Sequence, residues 1–328
     1  MNIVCFHLNQ LGDLLFSLPA LKCLRERFPE AVITSVVRPG AVEIMEGTGL
    51  VDRVVPRYPG LNLRKCRLAR YLMANSYDLA IVFSQSAECA LLAHLCGAPE
   101  RVGFVNTTLG SLLTRRVAFK SPPSTDNDLR LVEAVGCKVT QRVYARLVKP
   151  TPSQVERAGA LLSARGVSEE HRIAALGPGT SKRRALKEWT PEGFAAVGRH
   201  LTGLGYRVVV LGTEPVDRIV QGCPEIVDLS GRTNLGEAAA VLARCDALVA
   251  VDSGILHLCA ALGKPVVGLY GPSDPSATGP QGEGHVVLTS GAECSPCGQG
   301  ECKYKRKCMT NIDPSAVIAA VETILNHG

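Results

Sequence analysis

Ala247-Leu248-Val249-Ala250-Val251-Asp252-Ser253-Gly254-Ile255-Leu256-His257 is the stretch on which the fold is read. Five apolar residues with no polar alternation are followed by a short polar turn and a helical pattern. A strand covered on both faces that hands over to a helix belongs to a parallel α/β sheet. The same handover recurs along the chain. In the second half Arg172–Leu176, Arg207–Leu211 and Pro265–Leu269 read as further strands, with helices at Pro191–Leu204, Leu235–Arg244 and Gly254–Leu262. In the first half Ile3–Phe6, Val32–Val37, Asp78–Phe83 and Arg101–Phe104 read as strands, with helices around Leu14–Phe28, Arg64–Ala74 and Ala87–Leu95. Two α/β units, each with a parallel sheet, are expected. The Pro-rich Lys149-Pro150-Thr151-Pro152-Ser153 separates a unit at 1–150 from one at 151–328. Ligands of such sheets bind beyond the carboxyl ends of the strands, so two facing units would enclose a cleft lined by loops from both.

The composition agrees with a globular chain. Of 328 residues, 46% are hydrophobic and 20% charged, which excludes a disordered, collagenous or coiled-coil protein. No uncharged apolar run approaches the ~18 residues that cross a bilayer. Met1–Cys5 shows no basic stretch leading into an apolar core, so a cytoplasmic protein without a secretory signal is expected, its 13 cysteines mostly reduced. The net charge of +6 is unevenly placed: 1–150 hold 19 Lys/Arg against 12 Asp/Glu, and 151–328 hold 17 against 18. Arg57, Arg64, Lys65, Arg67 and Arg70 form a run without an acid. Such a run is ordinarily a solvated face, but the bias of a whole half suits an anionic partner. With seven Phe, seven Tyr and one Trp in the chain, few aromatics interleave the basic residues, which speaks against single-stranded nucleic acid.

The loops at the strand ends carry the chemistry. Asp252 and Ser253 before a helix are first of all capping residues. Gly254 at the helix start would also let a phosphate approach the free N–H groups, with His257 one turn in. Gly177-Pro178-Gly179-Thr180-Ser181 precedes Lys182, Arg183, Arg184 and Lys187, two glycines, two hydroxyls and four cations that suit a polyanion. Neither the third glycine of a dinucleotide fingerprint nor a P-loop G-K-[ST] is present. Glu214, after Gly212-Thr213, reads equally well as an acceptor for a ribose diol or as an acid favouring a helix N-terminus. Asp13 is either a helix-start acid or a carboxylate placed to take a proton. Asp126-Asn127-Asp128 has the form of a D-x-D metal clamp, but after Ser121-Pro122-Pro123-Ser124 it reads as loop and cap.

Together these loops resemble the ADP-heptose:lipopolysaccharide heptosyltransferases of glycosyltransferase family 9. The resemblance rests on Leu11-Gly12-Asp13 with Leu18-Pro19-Ala20-Leu21, on Pro178-Gly179-Thr180-Ser181 with Lys187-Glu188-Trp189, and on Gly212-Thr213-Glu214. Asp252-Ser253-Gly254-Ile255-Leu256-His257-Leu258 and Tyr270-Gly271-Pro272-Ser273-Asp274-Pro275 complete it. It implies a GT-B architecture: two Rossmann-like domains with parallel sheets facing an interdomain cleft, acceptor on the first, nucleotide sugar on the second. It implies an inverting, metal-independent transferase with no required cofactor, using ADP-heptose as donor and the anionic inner core of lipopolysaccharide as acceptor. Such an enzyme would be cytoplasmic and peripheral at the inner membrane surface, with no nucleic-acid partner. By the same resemblance Thr180, Ser181, Lys187, Glu214, Asp252, Ser253, Gly254 and His257 would bind the donor, and Asp13 would be the base. Lys187 would also stabilise the departing diphosphate. Arg64, Lys65, Arg67 and Arg70 are the acceptor candidates, followed by Arg38, Arg101, Arg115 and Arg116.

The second unit ends in a Cys-rich segment, 294–308, and a C-terminal helix. Cys294, Cys297, Cys302 and Cys308 have a spacing that suits a structural zinc or iron–sulfur site, and equally a disulfide-capable loop or reduced thiols. The alternatives to heptosyl transfer are a same-family transferase with another nucleotide sugar or acceptor, and a non-catalytic binding or redox protein built on these cysteines. Asp13, Lys187, Glu214 and Asp252 stand against the latter.

Overall fold

Each short apolar run becomes an inner strand of one of two six-stranded, wholly parallel sheets. The computed structural model describes residues 1–328 except 8–9, 61, 121–122, 181, 299–300 and 327–328, with the backbone alone at 182–184. It divides into compact units at Met1–Leu147 and Val148–Gly328.

The first unit contains β1 (Asn2–Phe6), β2 (Val32–Val37), β3 (Arg53–Pro56), β4 (Leu79–Val82), β5 (Glu100–Phe104) and β6 (Arg115–Val117), in the order β3-β2-β1-β4-β5-β6. The strand order reverses between β1 and β4, where Ile3 pairs with both Ile33 and Leu79. Ile3, Val4, Cys5 and Phe6 are fully buried, as a strand covered on both faces requires. Burial of each large side chain there contributes about 1.5–3 kcal/mol. The helical pattern over 14–28 divides at Ser17 into Leu11–Phe16 and Leu18–Arg27, the second opening with Pro19 in its first turn.

The second unit contains β7 (Ile173–Gly177), β8 (Arg207–Val210), β9 (Val227–Asp228), β10 (Ala247–Val251), β11 (Val266–Leu269) and β12 (Val286–Leu288), ordered β12-β11-β10-β7-β8-β9. This is the topology of the first unit repeated, with the reversal between β7 and β10. Thr151 opens the unit's first helix through a reciprocal capping box with Gln154. Trp189 is buried in the core, its indole N–H donating to the Ile312 carbonyl at 3.1 Å and its ring edge-on to Phe194. Gly193, in the first turn of the helix Pro191–Gly203, is there because that ring leaves no room: an added Cβ would lie 2.5 Å from Trp189. Gly193→Ala is therefore expected to destabilise the protein by about 1–3 kcal/mol, seen as a lower thermal midpoint. An unchanged midpoint would show that the indole moves freely.

Among the described residues no disulfide forms, and no helix is long and apolar enough to cross a membrane. Of the nine cysteines outside the 294–308 segment, Cys66 is exposed and the others are buried.

Candidate active site

In the second unit the site grows from the reversal between β7 and β10. Asp252, the residue that follows β10, is 6% exposed. Its carboxylate receives the Lys187 ammonium on one oxygen, and His257 Nε2 stands 3.4 Å from the other. Burial by itself would raise this carboxyl, but the His257 hydrogen bond and the Lys187 charge outweigh it and hold Asp252 well below the usual carboxylate range. Asp252 thus ties the Lys187 ammonium and the His257 ring together rather than capping the helix Gly254–Ala261. Ser253 occupies the cap position without a side-chain capping bond, and its Oγ is buried with no hydrogen-bond partner among the described residues. The first N–H groups of that helix therefore keep their capacity for an anion.

Beside this cluster, Pro178, Gly179, Trp189, Gly212, Glu214 and Val216 border a cavity of about 330 Å³. A Cβ added at Gly179 or Gly212 would meet no atom within 4 Å, so both glycines leave open space at the ends of β7 and β8. Glu214 is exposed at the rim, and Thr180 is half-buried. Ser181 lies outside the described residues. Arg306 braces the Lys187 turn, its Nη1 donating to the carbonyls of Ala185 at 3.2 Å and Glu188 at 3.3 Å.

Arg306 comes from the cysteine segment. Cys294, Cys297, Cys302 and Cys308 all border one cavity of about 220 Å³ together with Leu186. Among the described residues, no group of three His, Cys, Asp or Glu is arranged to hold a metal ion. None of the four is in a disulfide, and Cys302 Sγ accepts from the Arg306 backbone N–H at 3.2 Å.

In the first unit β1 runs into a buried hydrogen-bonded pillar. The Ser17 hydroxyl donates to the Leu14 carbonyl, so His7 Nδ1–H donates to Ser17 Oγ at 3.0 Å and Nε2 accepts from Ser35 Oγ at 2.7 Å. Burial, and then the nearby Arg57, push the His7 imidazole down to about 3, so it stays neutral and structural. Beyond it, Asp13 is half-buried on the helix Leu11–Phe16 and borders a cavity of about 210 Å³. Four of the chain's seven phenylalanines wall it: Phe16, Phe83, Phe104 and Phe119.

The same cavity holds a residue that the sequence reading placed in a cap. Asp128 lies within the helix Ser124–Glu133, whose cap position is Pro123 and has no side-chain capping bond. Asn127 instead bonds the backbone of Lys120 in both directions, at 2.9 and 2.8 Å, and Asp128 is buried against the cavity. Its place on the buried stripe Thr125, Asp128, Leu129 and Val132 was the available signal.

The basic run is also re-sorted. Arg57 is 3% exposed and bonds Glu88 at 2.8 Å, so it is no part of a solvated face. Lys65 reaches the same carboxylate at 2.7 Å, and the Arg64 guanidinium lies 4.5 Å from the centre of the Tyr58 ring. Arg67 and Arg70 are exposed on the helix Leu63–Ala74. Arg101 is bound to the carbonyls of Leu112 and Ala98, and Arg115 to Glu100 and the Ala134 carbonyl. Arg38 and Arg116 are exposed.

Two Rossmann-ordered parallel units in one chain, with polar loops gathered at each reversal of strand order, make up the GT-B fold. The fold matches a family 9 glycosyltransferase from Veillonella parvula over 100% of this chain and 97% of that one, with a TM-score of 0.86 and 24% identity. It also matches the ADP-heptose lipopolysaccharide heptosyltransferase II of E. coli over 100% and 99%, with a TM-score of 0.82 and 22% identity. In sequence it is 27% identical to lipopolysaccharide heptosyltransferase 2 of Salmonella typhimurium over 298 residues, 85% of each chain. The model of glycosyltransferase family 9 (heptosyltransferase) matches residues 65–308, and the chain belongs to that family.

Proposed function

We propose that this glycosyltransferase moves a heptose from ADP-heptose to a sugar hydroxyl of the lipopolysaccharide inner core, inverting the anomeric carbon. The observation that carries the reading is the Lys187–Asp252–His257 cluster, set beside an open nucleoside-sized cavity in a chain of the heptosyltransferase family. The apolar walls of that cavity suit an adenine, and Glu214 at its rim suits the ribose diol. The diphosphate would lie over Thr180, Ser253 and the N–H groups at Gly254, within reach of Lys187, with Ser181 kept as a donor contact on the family resemblance alone.

In the reaction, the acceptor oxygen forms a bond to the anomeric carbon as the bond from that carbon to the diphosphate oxygen breaks. ADP departs on the opposite face with the electron pair, and the hydroxyl proton passes to Asp13. Charge grows on the leaving diphosphate, where fixed N–H groups and Lys187 stabilise the transition state more than the ground state. Asp252, held anionic by His257 and Lys187, keeps the ammonium positioned between turnovers.

The first unit is the acceptor side in this reading. Arg67 and Arg70 are exposed to meet the carboxylates and phosphates of an anionic glycolipid, with Arg64 and Lys65 beside them on the same helix. The enzyme would act in the cytoplasm at the inner face of the membrane, where that acceptor is presented. The test is turnover with ADP-heptose and a truncated core acceptor, alongside thermal shifts with a panel of nucleotide sugars. ADP-heptose should raise the midpoint and support transfer. Transfer only from a different nucleotide sugar would replace the donor assignment, and stabilisation without any transfer would reject the enzyme reading.

A further inference from the structure

Asp128 has no part in the reaction as described so far, yet its carboxyl is buried in the same small cavity as Asp13, behind a wall of four phenylalanines. The rest of the lining is Gln85, Ser124 and Asn127, with no cation among them. Two carboxyls sharing one such cavity ionise together only at a cost, so the pair retains one proton over a wide pH range. A base must be ionised to accept a proton, and the half-buried Asp13 is the member closer to solvent. Building on the assignment of Asp13 as the base, we propose that Asp128 is a positioning residue that holds a proton beside it, so that the pair carries a single negative charge in the resting enzyme.

The surroundings support this division. The helix that carries Asp128 packs on Leu11–Phe16, on Leu18–Arg27 and on β5. The first of these contributes Asp13. On the second, Lys22 bonds Glu26, Arg25 bonds Asp52, and Arg27 lies over the Phe28 ring. On β5, Glu100 pairs with Arg115 and Arg101 is held by two carbonyls. On its own helix, Asp126 pairs with Arg142, Arg130 donates to the Asn127 side chain, and Glu133 is exposed. These cations are engaged elsewhere, whereas burial and then the Asp13 charge push the Asp128 carboxyl well above the usual carboxylate range.

During turnover the acceptor hydroxyl's proton moves to Asp13, leaving the pair doubly protonated, and one proton must return to solvent before the next cycle. At high pH the Asp128 proton is lost as well. The resulting dianion repels an anionic acceptor, so Asp128 sets an alkaline limit on activity.

Three readouts test this. Infrared spectra of the wild-type protein at neutral pH should contain a carboxylic-acid carbonyl band that Asp128→Asn removes. In Asp13→Asn the same band should titrate at lower pH, because one of its two causes is gone. In the pH profile of kcat/KM, Asp128→Asn should move the alkaline limb upward by at least one unit, about a tenfold gain at the wild-type limit. Absence of the band, or an alkaline limb that Asp128→Asn leaves in place, overturns the proposal. The infrared readouts need no substrate. Should the chain prove inactive on ADP-heptose, the proton on Asp128 would still be decided, and the two failures stay distinct. Should Asp128→Asn fail to fold, the band in the wild-type protein and its shift in Asp13→Asn still decide the matter.

Discussion

Asp13→Asn is expected to lower turnover by about 10²–10⁴-fold, the usual contribution of a positioned general base. ADP should bind as before, because the cavity and cluster proposed for the nucleotide are drawn from the second unit alone. The amide is isosteric with the carboxylate and keeps the wall of the phenylalanine-lined cavity, so the loss would report proton transfer rather than collapse. A helix N-terminus stabilises the anion and weakens a carboxylate as a base. The transfer is accordingly expected late, when the new bond has acidified the hydroxyl, and slow steps should show a small solvent isotope effect. Near wild-type turnover with intact ADP affinity would remove Asp13 from the mechanism.

Lys187→Ala should act on both chemistry and stability. Removing a donor aimed at developing charge costs about 10²–10³-fold in kcat. The same change strands the Asp252 carboxylate in a site where it is 6% exposed, with the His257 ring as its remaining partner in the cluster. Breaking one side of a buried pair typically costs about 3–5 kcal/mol, and His257 will hold the loss toward the lower end. The sign of the pH dependence follows from the direction of the Asp252 shift. Its folded carboxyl titrates below the unfolded one, so its stabilisation is fully present above the ordinary aspartate value of about 3.9 and is lost as pH falls through the lower folded value. The difference in thermal midpoint between wild type and Asp252→Asn should shrink on acidification. A difference that grows instead would mean that Asp252 is neutral in the folded protein.

The inner strands were legible because a parallel sheet buries both faces, so Ile3–Phe6 and Ala247–Val251 are continuous apolar runs. β3, β6, β9 and β12 were not, for a related reason. They are the outer strands of their sheets, two to four residues long, and Arg53, Arg115 and Arg116 give β3 and β6 the look of loops. Local spacing placed Asp252, Ser253 and His257 in one turn. It was blind to Lys187 on Asp252, 65 positions away in sequence, and to Asp128 beside the Asp13 cavity. A charge run likewise reads the same whether its members face water or, like Arg57, a buried carboxylate. Each of these depends on which strand lies next to which, and that is decided by the whole sheet.

The repeated strand order has a further consequence. The Asp13 cavity is built wholly from the first unit and the Glu214 cavity wholly from the second, so the walls of each can change by mutation without disturbing the other. Under the proposed division into acceptor and donor sides, two molecular preferences would be inherited separately within one gene. A lineage could then drift toward a new acceptor while its grip on the donor stayed under selection, and a chimera joined near Leu147 should carry the acceptor preference of whichever parent supplied its first half.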